Sequence, residues 1–139
     1  MKANYMVGII SYMPETDRGK TRIPIHQEQL RWLEQLSTRV RDEFETYRVE
    51  SAWGPTATEQ LTTPLNLQKI QVDKNTCAVN RNFLLEKFYN SDYDWLFLLD
   101  DDRVFYDHYR YSDWFDDLNT PAVLELCKQG YMISCILPM

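Results

Sequence analysis

Apolar residues along this 139-residue chain fall into several short runs and one long helical stripe. The first run, Tyr5 to Tyr12 (YMVGIISY), predicts a strand buried on both faces. The polar segment from Met13 to Thr21, punctuated by Pro14 and Gly19, predicts a loop. From about His26 to Phe44, Leu30, Leu33, Leu36 or Ser37, Val40 and Phe44 recur at three- and four-residue steps, and Tyr47 continues the series. That spacing predicts a helix with one apolar face, while Arg31, Glu34, Arg39, Arg41 and Asp42 occupy the other.

Tyr47 to Trp53 predicts a second strand, stopped by Gly54-Pro55, and Thr56 to Pro64 a threonine-rich connection. Leu67 to Val72 alternates like a third strand. A helix over about Thr76 to Tyr89 should turn Val79, Phe83, Leu84 and Phe88 inward. After a turn from Asn90 to Asp94, the run Trp95 to Leu99 predicts a strand buried on both faces. Val104 to Asn119 fits no element. Thr120-Pro121 opens a helix ending at Gly130, and Tyr131 to Leu137 closes the chain as a strand. Strands separated by helices predict a single α/β domain: a mostly parallel sheet flanked by helices.

Composition narrows this picture by exclusion. No apolar stretch approaches the roughly 20 residues of a membrane span. The first residues lack a small-residue cleavage site and read as a strand rather than a signal peptide. Cys77, Cys127 and Cys135 are odd in number without CxxC spacing, which suits reduced core thiols and a cytoplasmic setting. The net charge of −6 is concentrated: nine aspartates against Arg103 and Arg110 between Asn90 and Asp117 leave the remainder at +1. Such acidity argues against direct nucleic-acid binding by that segment.

The candidate chemistry lies at the end of the Trp95–Leu99 run, where Asp100, Asp101 and Asp102 follow one another. Aspartate is a poor strand residue, and like charges repel. In an extended chain Asp100 and Asp102 would share one side, roughly 6.5–7 Å apart, with Asp101 opposite. Two carboxylates so placed suit Mg²⁺ or Mn²⁺, which bind oxygen ligands together with substrate phosphates. The plainer alternative is that the aspartates end a strand and cap a turn. Arg18, Lys20 and Arg22, after the first strand, are either phosphate-directed charges or a solvated basic loop. His108 is a candidate ligand and Trp114 and Phe115 candidate sugar platforms, with ordinary loop and packing roles the alternatives. No Gly-rich phosphate loop, HExxH or GxSxG motif is present.

The block from Val72 to Arg103 resembles the GT-A-fold glycosyltransferases of family 2. Asn75, then Ala78-Val79-Asn80-Arg81-Asn82 on a helix, then an apolar strand ending in Asp100-Asp101-Asp102, match that family's Asn, Arg-Asn helix and DxD motif. Leu124 to Met139 is similar to the helix and strand after DxD in bacterial and phage members. The resemblance implies the Rossmann-like nucleotide-binding half of a GT-A fold and a nucleotide-diphosphate sugar as ligand. It implies Mn²⁺ or Mg²⁺ at Asp100 and Asp102, Asp102 directly and Asp100 near the ribose or through water. It also implies a donor site formed by Ser11, Tyr12, Arg81, Asp100 and Asp101.

Two departures are visible. Ser51-Ala52-Trp53-Gly54 stands where the family usually carries an aspartate for the base, and the family's acceptor half and general base lie beyond a point equivalent to Met139. No catalytic base is therefore assigned. Either a missing C-terminal half or a partner chain is expected at the sheet edge, in the cytoplasm of a bacterial or phage-infected cell. The rival expectations are a non-catalytic GT-A-like structural or assembly module, possibly viral, and another metal-dependent phosphoryl-transfer enzyme. The lack of a second acidic cluster disfavours the last.

Overall fold

A computed structural model of the chain describes residues 4–40, 44–73 and 76–102. Four strands, β1 (Tyr5–Tyr12), β2 (Phe44–Ser51), β3 (Leu67–Val72) and β4 (Trp95–Asp100), form one sheet in the order β3-β2-β1-β4. All three pairings are parallel. The helices are α1 (Asp17–Thr21), α2 (Ile23–Val40), α3 (Pro55–Gln60) and α4 (Cys77–Tyr89). The expected α/β sheet with helical connections is therefore present.

Alternation along β1 divides the core. Tyr5, Val7 and Ile9 pack with Trp32, Leu33 and Leu36 of α2 and with Phe44. Met6 and Ile10 face the other way, with Tyr47 and Val49 of β2 and Leu84 of α4. A third cluster of Met13, Ile23, Leu30, Ala57 and Leu61 lies where α2 and α3 meet the loop after β1. Gly8 is on the α4 face, and a Cβ there would sit 3.0 Å from Leu84 Cδ1. Glycine thus lets α4 lie close against the central strand.

The departures from the expected elements have local causes. Phe44 does not extend α2; it starts β2, in register with Tyr5. Strand β2 was expected only from Tyr47 because Phe44 and Tyr47 continue the three- and four-residue spacing of α2; the α2-facing side of the strand, Thr46, Arg48 and Glu50, is polar yet buried. The loop from Met13 contains α1, where the hydroxyl of Thr16 caps the backbone N–H of Gly19. The threonine-rich connection contains α3, with Gly54 at its N-cap and Pro55 in its first turn.

Helix α4 starts as expected, with Thr76 accepting from the N–H of Val79. Its inward line is Asn80, Leu84 and the half-buried Phe88, at four-residue steps. Val79 and Phe83, expected inside, lie on a different face and are exposed. Cys77, expected in the core, is exposed and free. Strand β4 is half-buried with Leu98 exposed, not buried on both faces, because among the described residues it has a sheet neighbour on one side only. The expected elements from Val104 to Leu137, with His108, Trp114 and Phe115, lie outside the described residues, as does Asn75. Among the described residues, no helix is long and apolar enough to cross a membrane.

Candidate functional site

The strand order creates one special place. From β1 the chain moves through α2 to β2 and then β3; from β3 it returns through α4 to β4, on the other side of β1. Connections running in opposite directions place their helices on opposite faces and open a crevice beyond the carboxyl ends of β1 and β4. Ile10 pairs with Asp100 in register, so Ser11 and Tyr12 end beside Asp101 and Asp102. The sequence-predicted residues Ser11, Tyr12, Arg81 and Asp100 to Asp102 all come to this end of the sheet.

Within the triplet the roles differ. The strand ends at Asp100, and Asp101 and Asp102 form a turn, so the expected strand alternation stops there. Asp101 is fully buried. Its Oδ2 accepts from Ser11 Oγ at 2.7 Å and from the Tyr12 N–H at 3.2 Å, and its Oδ1 accepts from Arg22 Nη2. Burial pushes the Asp101 carboxyl above the ordinary aspartate range, while Ser11, Arg22 and the Tyr12 amide pull the other way without overcoming it. Burial also works against the Arg22 charge, but the Asp101 hydrogen bond and the fields of all three aspartates raise the Arg22 pKa.

The outer two aspartates are partly open. Asp100 pairs with Arg81 at 3.2 Å, and Asp102 lies 3.8 Å from Arg22. The side chains of Asp100 and Asp102 are 35% and 44% exposed. Asp101 is thus an anchor, and Asp100 and Asp102 are the carboxylates with room for a ligand. Among the described residues, no group of three or more His, Cys, Asp or Glu side chains could hold a metal ion. One or two carboxylates that leave positions for phosphate oxygens and water do fit Mg²⁺ or Mn²⁺. Of the three basic residues after β1, Arg22 joins the site, while Lys20 pairs with Glu15 at 3.2 Å and Arg18 is exposed.

Behind the turn lies a buried polar network that sequence reasoning missed. Arg48 Nε and Nη2 donate to Glu50 Oε2 at 2.9 and 2.7 Å, and the guanidinium lies 4.2 Å from the Trp53 ring centre. Arg48 Nη1 lies 3.0 Å from His26 Nε2, and His26 Nδ1 lies 2.9 Å from Gln29 Oε1. Gln29 Nε2 then donates to the Asp100 carbonyl at 2.8 Å. Burial and the Arg48 charge lower the His26 pKa from 6.5 to about 4, so the ring is neutral at pH 7. A parallel link runs from Trp53 Nε1 to Ser11 Oγ at 2.9 Å and on to Asp101. The available signal was Arg48 and Glu50 two residues apart, hence on one face of a strand between buried apolar positions.

Beside this network, at the ends of β2 and β3, is a cleft of about 700 Å³ walled by Glu50, Ala52, Trp53, Gln71, Val72 and Asp73. Ala52 has φ 50°, a left-handed conformation unfavourable for a residue with a Cβ. A smaller space of about 140 Å³ lies between Ile10, Arg81, Leu98 and Asp100. The loops after β1 and β2 are tied together: Gly54 N–H donates to the Met13 carbonyl at 2.9 Å, and Glu15 accepts from Thr56.

No protein-family model matches the chain, and no curated protein or solved structure matches it.

Proposed function

We propose that this chain binds a nucleotide-diphosphate sugar with Mn²⁺ or Mg²⁺, as the donor-binding portion of a GT-A-type glycosyltransferase. The observation that carries the reading is the pair of partly open carboxylates, Asp100 and Asp102, at the switch point of a β3-β2-β1-β4 parallel sheet. Open α/β sheets bind ligands at that point.

Asp102 and Asp100 would hold the cation, which supplies charge neutralisation to a departing diphosphate. Arg81 and Arg22, already at the turn, would exchange part of their contact with the aspartates for phosphate oxygens. The cleft walled by Trp53 and Glu50 would take the base, with the indole as a stacking surface. Ser11 and Tyr12 hold the floor of the turn through Asp101.

A second reading, a non-catalytic GT-A-like module, is favoured by the Asp100–Arg81 pair, in which the protein itself supplies a counter-charge to that carboxylate. Calorimetric titration of nucleoside diphosphates, with and without Mn²⁺, separates the two. Metal-dependent binding by the native protein that is lost in Asp102→Ala supports donor binding. Absence of binding to any nucleotide leaves the structural module, and hydrolysis of a donor sugar would establish transferase chemistry.

A further inference from the structure

We infer that His26 and Gln29 are positioning residues for the aspartate turn, holding it through the Asp100 carbonyl. The inference rests on the reading that this turn binds a cation and a diphosphate. It concerns residues of α2 that touch neither, and it follows from the direction of the hydrogen bonds.

The two ends of the network favour one arrangement, and His26 also has a hydrogen-bond interaction with the Asp101 backbone. A guanidinium only donates and a backbone carbonyl only accepts. Arg48 Nη1 therefore donates to His26 Nε2, which places the ring proton on Nδ1. Nδ1–H then donates to Gln29 Oε1, which turns the Gln29 amide nitrogen toward the Asp100 carbonyl. Reversing the Gln29 amide would set its oxygen against the Asp100 carbonyl oxygen and leave that acceptor unpaired. His26, Gln29 and Arg48 are fully buried, so water cannot take the place of a lost partner cheaply.

The position of this chain in the fold distinguishes it from ordinary core packing. Helix α2 is already fixed by Leu30, Leu33 and Leu36 in two apolar clusters. The polar chain adds a contact to the one peptide at which β4 stops and the turn begins. Fixing that carbonyl fixes the Asp100–Asp101 peptide plane, and with it the direction in which Asp100 and Asp102 leave the backbone. Residues that orient metal-binding groups without touching the metal typically change its affinity by roughly 10–100-fold when replaced.

The test uses the full chain and two variants of Gln29. Gln29→Met removes both links; Gln29→Glu keeps the acceptor for His26 and, ionised, has no hydrogen for the Asp100 carbonyl, so its affinity is read above the pH at which the introduced carboxyl titrates. Leu36→Ala, which weakens the packing of the same helix, controls for general destabilisation. Mn²⁺ affinity is measured by electron paramagnetic resonance, alone and with each of the four common ribonucleoside diphosphates. Amide hydrogen exchange at Asp101 and Asp102 is followed by NMR.

Both Gln29 variants are expected to bind Mn²⁺ at least tenfold more weakly than the native protein, with Leu36→Ala unchanged. Exchange at the two turn amides should accelerate at least tenfold. Native affinity in either Gln29 variant, or equal loss in Leu36→Ala, overturns the inference. If the native protein binds neither Mn²⁺ nor a diphosphate, the functional reading fails, and the exchange rates alone decide the positioning. Unchanged exchange in the Gln29 variants then overturns it.

Discussion

Replacing the three consecutive aspartates one at a time should set the middle one apart from the other two. Asp101→Ala removes a fully buried carboxylate that accepts from Ser11, Tyr12 and Arg22. Breaking a buried ion pair from one side costs about 3–5 kcal/mol, because the partner charge is left behind. Arg22 is one-third exposed and keeps Asp102 at 3.8 Å, which places the expected loss at the lower end, about 3 kcal/mol. Asp100→Ala and Asp102→Ala each remove one partly exposed pair, for about 0–1 kcal/mol. Asp101→Asn should fall between, at about 1–2 kcal/mol, since an amide oxygen still accepts a hydrogen bond and the burial of a charge is relieved. Urea denaturation at pH 7, followed by circular dichroism, measures all four. If Asp101→Ala lies within 1 kcal/mol of Asp102→Ala, the division into one anchor and two open carboxylates is wrong.

Two further predictions concern the same end of the sheet. His26 titrates at about 4 when folded against 6.5 when free, so its contribution to stability is complete above pH 6.5 and is lost as the pH falls toward 4. At 1.36 kcal/mol per pH unit the whole loss is about 3 kcal/mol. It should appear as the difference between native and His26→Gln urea midpoints at pH 7 and pH 4.5, and parallel curves would refute it. Ala52→Gly should relieve the left-handed backbone at φ 50° and raise stability by about 0.5–1 kcal/mol, and a lower melting temperature would count against strain at this position.

How much of this was legible in the sequence depended on whether a residue's partner was near or far along the chain. β1 and β3 were bounded correctly because their alternation or continuous apolarity is local. The expected bounds of α4, about Thr76 to Tyr89, match Cys77–Tyr89 for the same reason. The start of β2 was displaced by three residues because Phe44 and Tyr47 keep the helical spacing of α2, and the burial of Arg48 and Glu50 was not readable because it depends on His26, which lies 22 residues from Arg48. The aspartate triplet stood out at once as an unusual ending for an apolar strand. Which aspartate turns inward was not readable. Ser11 and Arg22, which hold Asp101, lie 90 and 79 residues away, and strand alternation fails where the turn begins. Arg22 was distinguished from Lys20 and Arg18 by its place between α1 and α2, which no local pattern reveals.

Gly8 has a mechanical consequence for this site. Protein interiors are packed too densely to absorb an added methyl locally. With Leu84 Cδ1 3.0 Å from where that methyl would sit, either Leu84 rotates or α4 moves outward as a rigid rod. Arg81 is carried on that rod three residues before Leu84, and its contact with Asp100 is already at 3.2 Å. A missing side chain in the middle of β1 thus works as a spacer of zero thickness. It sets how far a cation on one layer of the fold can reach over the edge of another.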